Sequence, residues 1–377
     1  MFYILSDNFV PNSAPTNHAL SFLKGFSELG IKAQWVFLLP DAKLSRWKQP
    51  FKNISVRYLW NSHISYNRYF RHIYKHITYS LFYFFTLKKG DIILLLGASN
   101  YLHGLIKRKG ISVYHERTEH PLAVNWTSNN YIKKHYYSDC ALADGNFVIS
   151  AALKEFFVSV GVPNDKVHVI NMVVDANRFS KIKKDIAVEP YIAYCGNASN
   201  LKDGVDDLIK AFALVAKCKP DIKLYIIGQA PAKESNNYDL VEKLGIKDRI
   251  VFTGVVSADD MPQILTNAQM QALCRPDSLQ NKYGFPTKLG EYLLTGNPVV
   301  ITRVGDIPLF LEHKKTALIS ECGDIEAFAE NIIWVIEHPD EAREIGLQGK
   351  KVAEQHFNYL IETKKMVNIM FNKTTNQ

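Results

Sequence analysis

The chain carries only five cysteines in 377 residues: Cys140, Cys195, Cys218, Cys274 and Cys322. They are scattered and odd in number, with no C-x-x-C pair and no His/Cys cluster. A disulfide framework and a structural zinc site are therefore excluded as organising devices, and the usage is that expected of a cytoplasmic protein. No Asp-x-Asp occurs, so a divalent cation finds no paired-carboxylate grip and no metal is expected. The loop from Gly97 to Gly104 lacks the Gly-Lys-Ser/Thr of a P-loop, and no G-x-G-x-x-G fingerprint is present. The apolar run Phe2 to Leu5 is too short for a secretory signal and leads into Asp7. The longest apolar stretch, Ile77 to Leu87, is too short to span a bilayer. These absences predict a protein that is soluble or rests on a membrane surface.

Acidic residues are missing from one long region. Between Ala42 and Gly90 there is no Asp or Glu, against ten Lys/Arg and thirteen aromatics, Trp47 and Trp60 among them. Residues 1–187 hold 24 Lys/Arg against 12 Asp/Glu, while the remainder holds 21 against 25, so the first half carries the whole positive excess. An electrostatic partner would meet that half. Tyr66, Phe70, Ile73, Ile77, Leu81 and Phe84 fall on one helical face, with Arg68, Arg71 and Lys75 opposite. Two readings stay open: a helix that leans on an anionic membrane, or a core helix with a solvated basic face. Interleaved basic and aromatic residues also suit single-stranded nucleic acid, but no such binding motif appears and none is expected as a partner.

The length suits two α/β domains of roughly 150–200 residues each. The densest information lies in Arg275 to Ile301, which reads as strand end, polar loop, helix, tight turn and buried strand. Pro286 suits the first turn of a helix, Leu289, Leu293 and Leu294 keep helical spacing, and Gly296 stops it. Arg275, Lys282 and Lys288 surround Gly284, and Glu291 lies one turn in. Backbone N–H groups at a helix start with cations alongside favour a diphosphate. A carboxylate one turn further on can accept hydrogen bonds from vicinal ribose hydroxyls. The pattern predicts a seat for a nucleoside diphosphate.

The segment Gly284-Phe-Pro-Thr-Lys-Leu-Gly-Glu-Tyr-Leu-Leu-Thr-Gly-Asn-Pro-Val-Val resembles the donor-site motif of retaining glycosyltransferases of family 4, in the variant with a Phe-Pro-Thr-Lys loop. The family usually has two glutamates with seven residues between them. Glu291 fits the second, and Tyr283 stands where the first would fall. The resemblance implies an α/β protein of the GT-B fold, with two Rossmann-like domains facing a central cleft. Residues 1–180 would form an acceptor-binding domain, 181–355 a nucleotide-sugar-binding domain, and 356–377 a helix returning to the first. Val174-Asp175 through Arg178-Phe179 is similar to the family's interdomain connection.

In the second half, Tyr191 to Gly196 reads as a buried strand running into Asn197 and then Lys202-Asp203-Gly204. The family turn reads Gly-Arg and then Lys-Gly. Lys202 fits the lysine, Asn197 replaces the arginine, and Arg275 or Lys282 is expected to compensate. Gly228 and Gly254 end the next two strands, either beside the donor or as plain turn glycines. The expected donor residues are thus Gly196, Asn197, Lys202, Gly228, Gly254, Arg275, Lys282, Tyr283, Gly284, Phe285, Pro286, Thr287, Lys288 and Glu291.

In the first half, the loop after the first strand offers Asn12, Ser13 and Thr16, with Asn17, on the acceptor side; such residues also simply cap helices. The strand from Ile111 ends at His115-Glu-Arg-Thr-Glu-His120. There Glu116, Glu119 and His120, with His115 behind them, are the candidates for action near the transferred sugar, alongside Lys202. The alternative is an ion-pair network of Arg117 with the glutamates.

The resemblance implies transfer of a hexosyl unit from a nucleoside diphosphate sugar to an acceptor hydroxyl with retention, without metal or other cofactor. A lipid-linked glycan or cell-surface polysaccharide intermediate is the expected acceptor, met in the cytoplasm or on the inner face of its membrane. The rival readings are a non-catalytic sugar-nucleotide binder and a sugar-nucleotide epimerase of the same fold.

Overall fold

A computed structural model describes residues 1–7, 14–39, 51–59, 68–97, 109–123, 130–185, 187–229 and 236–372. It divides into two compact units, Met1–Val173 with Tyr359–Gln377, and Val174–Asn358.

The first unit is built on a seven-stranded sheet: β1 (Phe2–Ser6), β2 (Ala33–Phe37), β3 (Ile54–Tyr58), β4 (Ile92–Leu95), β5 (Ser112–Arg117), β6 (Gly145–Val148) and β7 (Val167–Val169). Its spatial order is β3-β2-β1-β4-β5-β6-β7, and every pairing is parallel. A parallel sheet is covered on both faces, which is why β1 and β4 read as unbroken apolar runs and are buried throughout. One face buries Phe22, Phe26, Trp35, Phe37 and Tyr114, each worth roughly 1.5–3 kcal/mol. The helices Ala14–Glu28 and Tyr359–Asn372 cover that face. A Cβ on Gly25 would lie 2.2 Å from Thr363 Oγ1, so glycine sets how closely these two helices approach. Glu362, fully buried, accepts from the Asn171 N–H at 3.0 Å. The opposite face carries the helix Arg68–Phe85, which inserts Tyr79, Phe82 and Tyr83.

The second unit contains β8 (Tyr191–Cys195), β9 (Lys223–Ile227), β10 (Ile250–Gly254), β11 (Met270–Leu273), β12 (Val299–Thr302) and β13 (Leu318–Ser320). Their order is β10-β9-β8-β11-β12-β13, again all parallel. The order reverses beside β8, and such switch points leave a crevice outside the carboxyl ends of the strands.

The chain changes unit after Val173 and again after Asn358, a few residues from the expected 180 and 355. The reason is local. The Val174 N–H donates to the Phe357 carbonyl at 2.8 Å and Val174 bridges to Asn358, so these two passages of chain pair with each other at the edge of the second unit.

The stripe read from the basic region does not form the core, as the reading of a core helix with a solvated basic face required. Phe70, Ile73, Ile77, Leu81 and Phe84 are exposed, while the adjacent face of the same helix supplies the core. Tyr66, Trp47 and Trp60, and the side chains of Arg68, Arg71 and Lys75, lie outside the described residues.

Candidate donor site at the switch point of the second sheet

Three neighbouring strands of the second unit end in glycines with positive φ: Gly196 after β8 (148°), Gly228 after β9 (134°) and Gly254 closing β10 (73°). They interlock through backbone, with the Gly228 N–H donating to the Gly254 carbonyl at 3.0 Å. A Cβ on Gly228 would sit 2.3 Å from the Gly196 carbonyl oxygen, so the backbone itself fills the space a side chain would need.

Around the Gly196 turn lies a buried charge cluster centred on a residue the motif reading passed over. Asp203 takes Arg275 on Oδ1, with Nε at 3.2 Å and Nη2 at 3.1 Å. Its other oxygen, Oδ2, takes Lys288 Nζ and the Tyr194 hydroxyl, the latter at 2.7 Å. Lys288 Nζ also reaches the Tyr194 hydroxyl at 3.2 Å and lies 4.6 Å over its ring. That hydroxyl is 2.5 Å from the Asn197 carbonyl, which ties the turn to the cluster. Two cations and one carboxylate leave a net charge of +1.

The two cations are not equivalent. Arg275 is 3% exposed and its guanidinium is engaged with Asp203, while its carbonyl accepts from Thr302 Oγ1 at 2.7 Å. Lys288 keeps 15% of its side chain exposed, and a Cβ on Gly196 would fall 2.3 Å from its ammonium. The charge offered at the Gly196 turn is therefore that of Lys288. Burial, helped by Arg275, lowers the Lys288 ammonium against the pull of Asp203. Burial alone would raise the Asp203 carboxyl, but Lys288 and Arg275 outweigh it and hold it below the usual carboxylate range. An anion beside Lys288 would restore the balance.

The loop that delivers Lys288 differs from the expected single polar loop. A short helix, Leu279–Tyr283, stands inside it, capped by Ser278, whose Oγ accepts from the Asn281 N–H at 3.2 Å. Asn281 donates to the Lys202 and Pro276 carbonyls at 2.8 and 2.9 Å, tying this loop to the Lys202 turn. The next helix, Lys288–Leu294, begins two residues beyond Pro286. Seven residues make a small dipole, so side-chain charge and turn N–H groups carry the attraction for an anion here. Phe285 is buried against Phe310 and Phe357, and Pro286 is buried beside it; both shape the loop from beneath. Lys282 and Thr287 are exposed, and Tyr283 is half-buried with the Lys282 ammonium 5.6 Å over its ring. Lys202 is half-buried on the helix Asn200–Asp203, and Asn197 is exposed. Gly284 is buried with extended backbone.

Glu291 pairs with Arg178 Nη1, and Arg178 Nη2 donates to the Ala258 carbonyl at 2.6 Å. Arg178 was read from sequence only as part of a connection between domains. Cys195 joins the two clusters: burial pushes its thiol up to about 12, with Lys288 pulling it down and Glu291 and Asp203 adding to the rise. Tyr292 locks the strand end beneath, its hydroxyl accepting from the Cys195 N–H at 2.5 Å. Gly196→Ala should thus force Lys288 aside, and we expect at least a tenfold loss of nucleoside diphosphate affinity of the folded protein by titration calorimetry, with a lowered melting temperature because a φ of 148° strains alanine; unchanged affinity would show that Lys288 does not serve this turn.

In the first unit the candidates separate. Glu116 and Arg117 belong to β5 itself, since the strand runs past His115. Glu116 pairs with His18 (Oε1 to Nε2, 2.5 Å), a histidine sequence reading missed because 98 positions separate the two. Arg117 contacts His115 Nδ1 and stacks on Tyr136 instead of pairing with the glutamates, so the expected network does not form as drawn. His120 is buried, its Nδ1 accepts from the Leu122 N–H at 3.2 Å, and its ring packs 4.1 Å from Phe156; burial lowers its pKa. That bond caps the turn through Nδ1. Glu119 is half-buried. Thr16 is buried in the first turn of the helix Ala14–Glu28, Asn17 is exposed on it, and Asn12 and Ser13 lie outside the described residues. Among the described residues no group of His, Cys, Asp or Glu is arranged to hold a metal ion.

Residues 189–338 match the family model described as glycosyl transferases group 1. N-acetyl-alpha-D-glucosaminyl L-malate synthase of Bacillus anthracis is 26% identical over 203 residues, 52% of this chain and 51% of that protein. A GDP-mannose-dependent alpha-(1-6)-phosphatidylinositol monomannoside mannosyltransferase of Mycobacterium tuberculosis is 25% identical over 152 residues, 40% of this chain and 39% of that protein. The matches thus span about half or less of these relatives. The crystal structure of Anabaena Alr3699/HepE in complex with UDP superposes with a TM-score of 0.76 at 16% identity, covering 100% of both chains. The two parallel α/β sheets are those of GT-B glycosyltransferase structures, and over residues 189–338 the second unit is similar to the glycosyl transferases group 1.

Proposed function

We propose that the protein is a retaining hexosyltransferase that moves a sugar from a nucleoside diphosphate to an acceptor hydroxyl, without metal or other cofactor. The observation that carries this is the Lys288 ammonium poised over the Gly196 turn at the switch point, held there by Asp203 and Tyr194, with Glu291 one turn along the same helix. The diphosphate lies on the turn and Lys288, and Glu291 accepts from the ribose hydroxyls. As the bond from the anomeric carbon to the diphosphate oxygen breaks, Lys288, with Lys202 on the helix Asn200–Asp203 that follows the Gly196 turn, stabilises the charge that develops. The acceptor oxygen attacks the same face, and its proton passes to the departing phosphate oxygen. No carboxylate is required as a covalent nucleophile.

The acceptor is a lipid-linked glycan or cell-surface polysaccharide intermediate, a reading supported by the basic, aromatic first half and by the phosphatidylinositol monomannoside in the mycobacterial relative's name. Binding without transfer is the second reading. Tyr283 at the place of the family's first glutamate and Asn197 at that of its arginine favour it. A screen of sugar nucleotides with membrane lipid extract separates them: we expect nucleoside diphosphate release with one donor, whereas tight binding without release would leave a sugar-nucleotide binder, and an isomerised sugar an epimerase.

A further inference from the structure

We propose that the helix Arg68–Phe85 docks the protein on an anionic phospholipid surface through the apolar face it turns away from its own sheet. This deepens the reading of a lipid-linked acceptor and rests on it for its purpose, though not for its test.

The helix has two apolar faces. Thr78, Tyr79, Phe82 and Tyr83 are buried against the first unit's sheet, which satisfies the fold. Phe70, Ile73, Ile77, Leu81, Phe84 and Phe85 recur at helical spacing and stay exposed, from 48% at Ile77 to 83% at Phe85. A solvated face of an ordinary surface helix is polar, and a continuous large apolar stripe marks an interaction site. The charges nearby choose the occupant. The whole stretch from Ala42 to Gly90 has ten Lys/Arg and no acid, so it complements a negative surface and carries no counter-charge to oppose one. Lys88 and Lys89, exposed just beyond the helix, set cations at the Phe84 and Phe85 end of the stripe. Among the described residues no helix is long and apolar enough to cross a membrane, so the arrangement is that of a helix lying in the interface, with rings and branched chains in the acyl boundary and ammonium groups at the phosphates.

The test is flotation of the full chain with vesicles of phosphatidylcholine alone or mixed with phosphatidylglycerol, at low salt. Wild type should float with the phosphatidylglycerol vesicles and not with phosphatidylcholine. Phe84→Ser/Phe85→Ser and Ile77→Ser/Leu81→Ser should each cut the bound fraction at least tenfold while leaving donor hydrolysis in solution unchanged. The proposal is overturned if wild type does not float, if both vesicles bind alike, or if the double variants float like wild type. Sedimentation showing a dimer that both double variants abolish would also overturn it, because a second copy would then cover the stripe. Flotation without donor hydrolysis would sink the transferase reading alone, and hydrolysis without flotation this inference alone.

Discussion

Replacing Glu291 with alanine is expected to lower kcat/KM for the donor about hundredfold while the fold survives. Hydrogen bonds to a charged group contribute about 1.5–3 kcal/mol each, and a ribose presents two hydroxyls to one carboxylate, so a loss of roughly 3 kcal/mol, near hundredfold, follows. The protein should tolerate the change because Glu291 and Arg178 are both partly exposed and Arg178 keeps the Ala258 carbonyl as an acceptor. Ribose lies away from the breaking bond, so its contacts are alike in ground and transition states. The loss should therefore fall mainly on KM, with kcat changed little. Steady-state nucleotide release across donor concentrations reads this directly. Glu291→Gln, which keeps one acceptor oxygen, should lie between the two. Wild-type kinetics in the alanine variant would remove Glu291 from the donor site.

Lys288→Met is expected to do the opposite: kcat should fall by about 10²–10³, the range typical for removing one preorganised charge from a transition state. The change takes the buried cluster from a net +1 to neutral, with Arg275 and Asp203 left paired and Tyr194 still bonded to the carboxylate. Methionine retains the packing of the stem, so the stability cost should be small. Asp203→Asn makes the contrasting case. Removing the carboxylate leaves two buried cations facing each other, and breaking a buried pair of this kind costs about 3–5 kcal/mol. Thermal melts beside pre-steady-state rates separate the two: a chemical defect with a near-normal melt for Lys288→Met, a lowered melt for Asp203→Asn. A Lys288→Met enzyme that turns over at the wild-type rate would place the leaving-group charge elsewhere.

The strands that carry the folds were plain in the amino-acid order because parallel strands buried on both faces leave little freedom in composition. Phe2–Ser6, Tyr191–Cys195 and Val299–Thr302 show this. The edge strand Ile54–Tyr58 escaped, since its alternately exposed side chains sit inside a basic region that resembles loop. The helix Leu279–Tyr283 escaped because five residues give no period to read, although Ser278 is a good cap. In the site, Lys288, Glu291 and the three glycines were legible from local spacing. Asp203 was not: its two cations lie 72 and 85 positions away, and only the parallel sheet brings β8 and β11 side by side. The same limit hid His18 from Glu116. On the helix Arg68–Phe85 periodicity identified a stripe but could not choose the buried side, because the opposite side is apolar as well.

The account's central claim is that the Gly196 turn and Lys288 seat a diphosphate, with Glu291 on the nucleoside. A crystal structure of the protein with a nucleoside diphosphate tests it most directly. The account predicts phosphate oxygens within hydrogen-bonding reach of the turn N–H groups and Lys288 Nζ, and ribose hydroxyls on Glu291. A nucleotide bound elsewhere, with Lys288 and Asp203 still paired as they are here and Glu291 untouched, would contradict it.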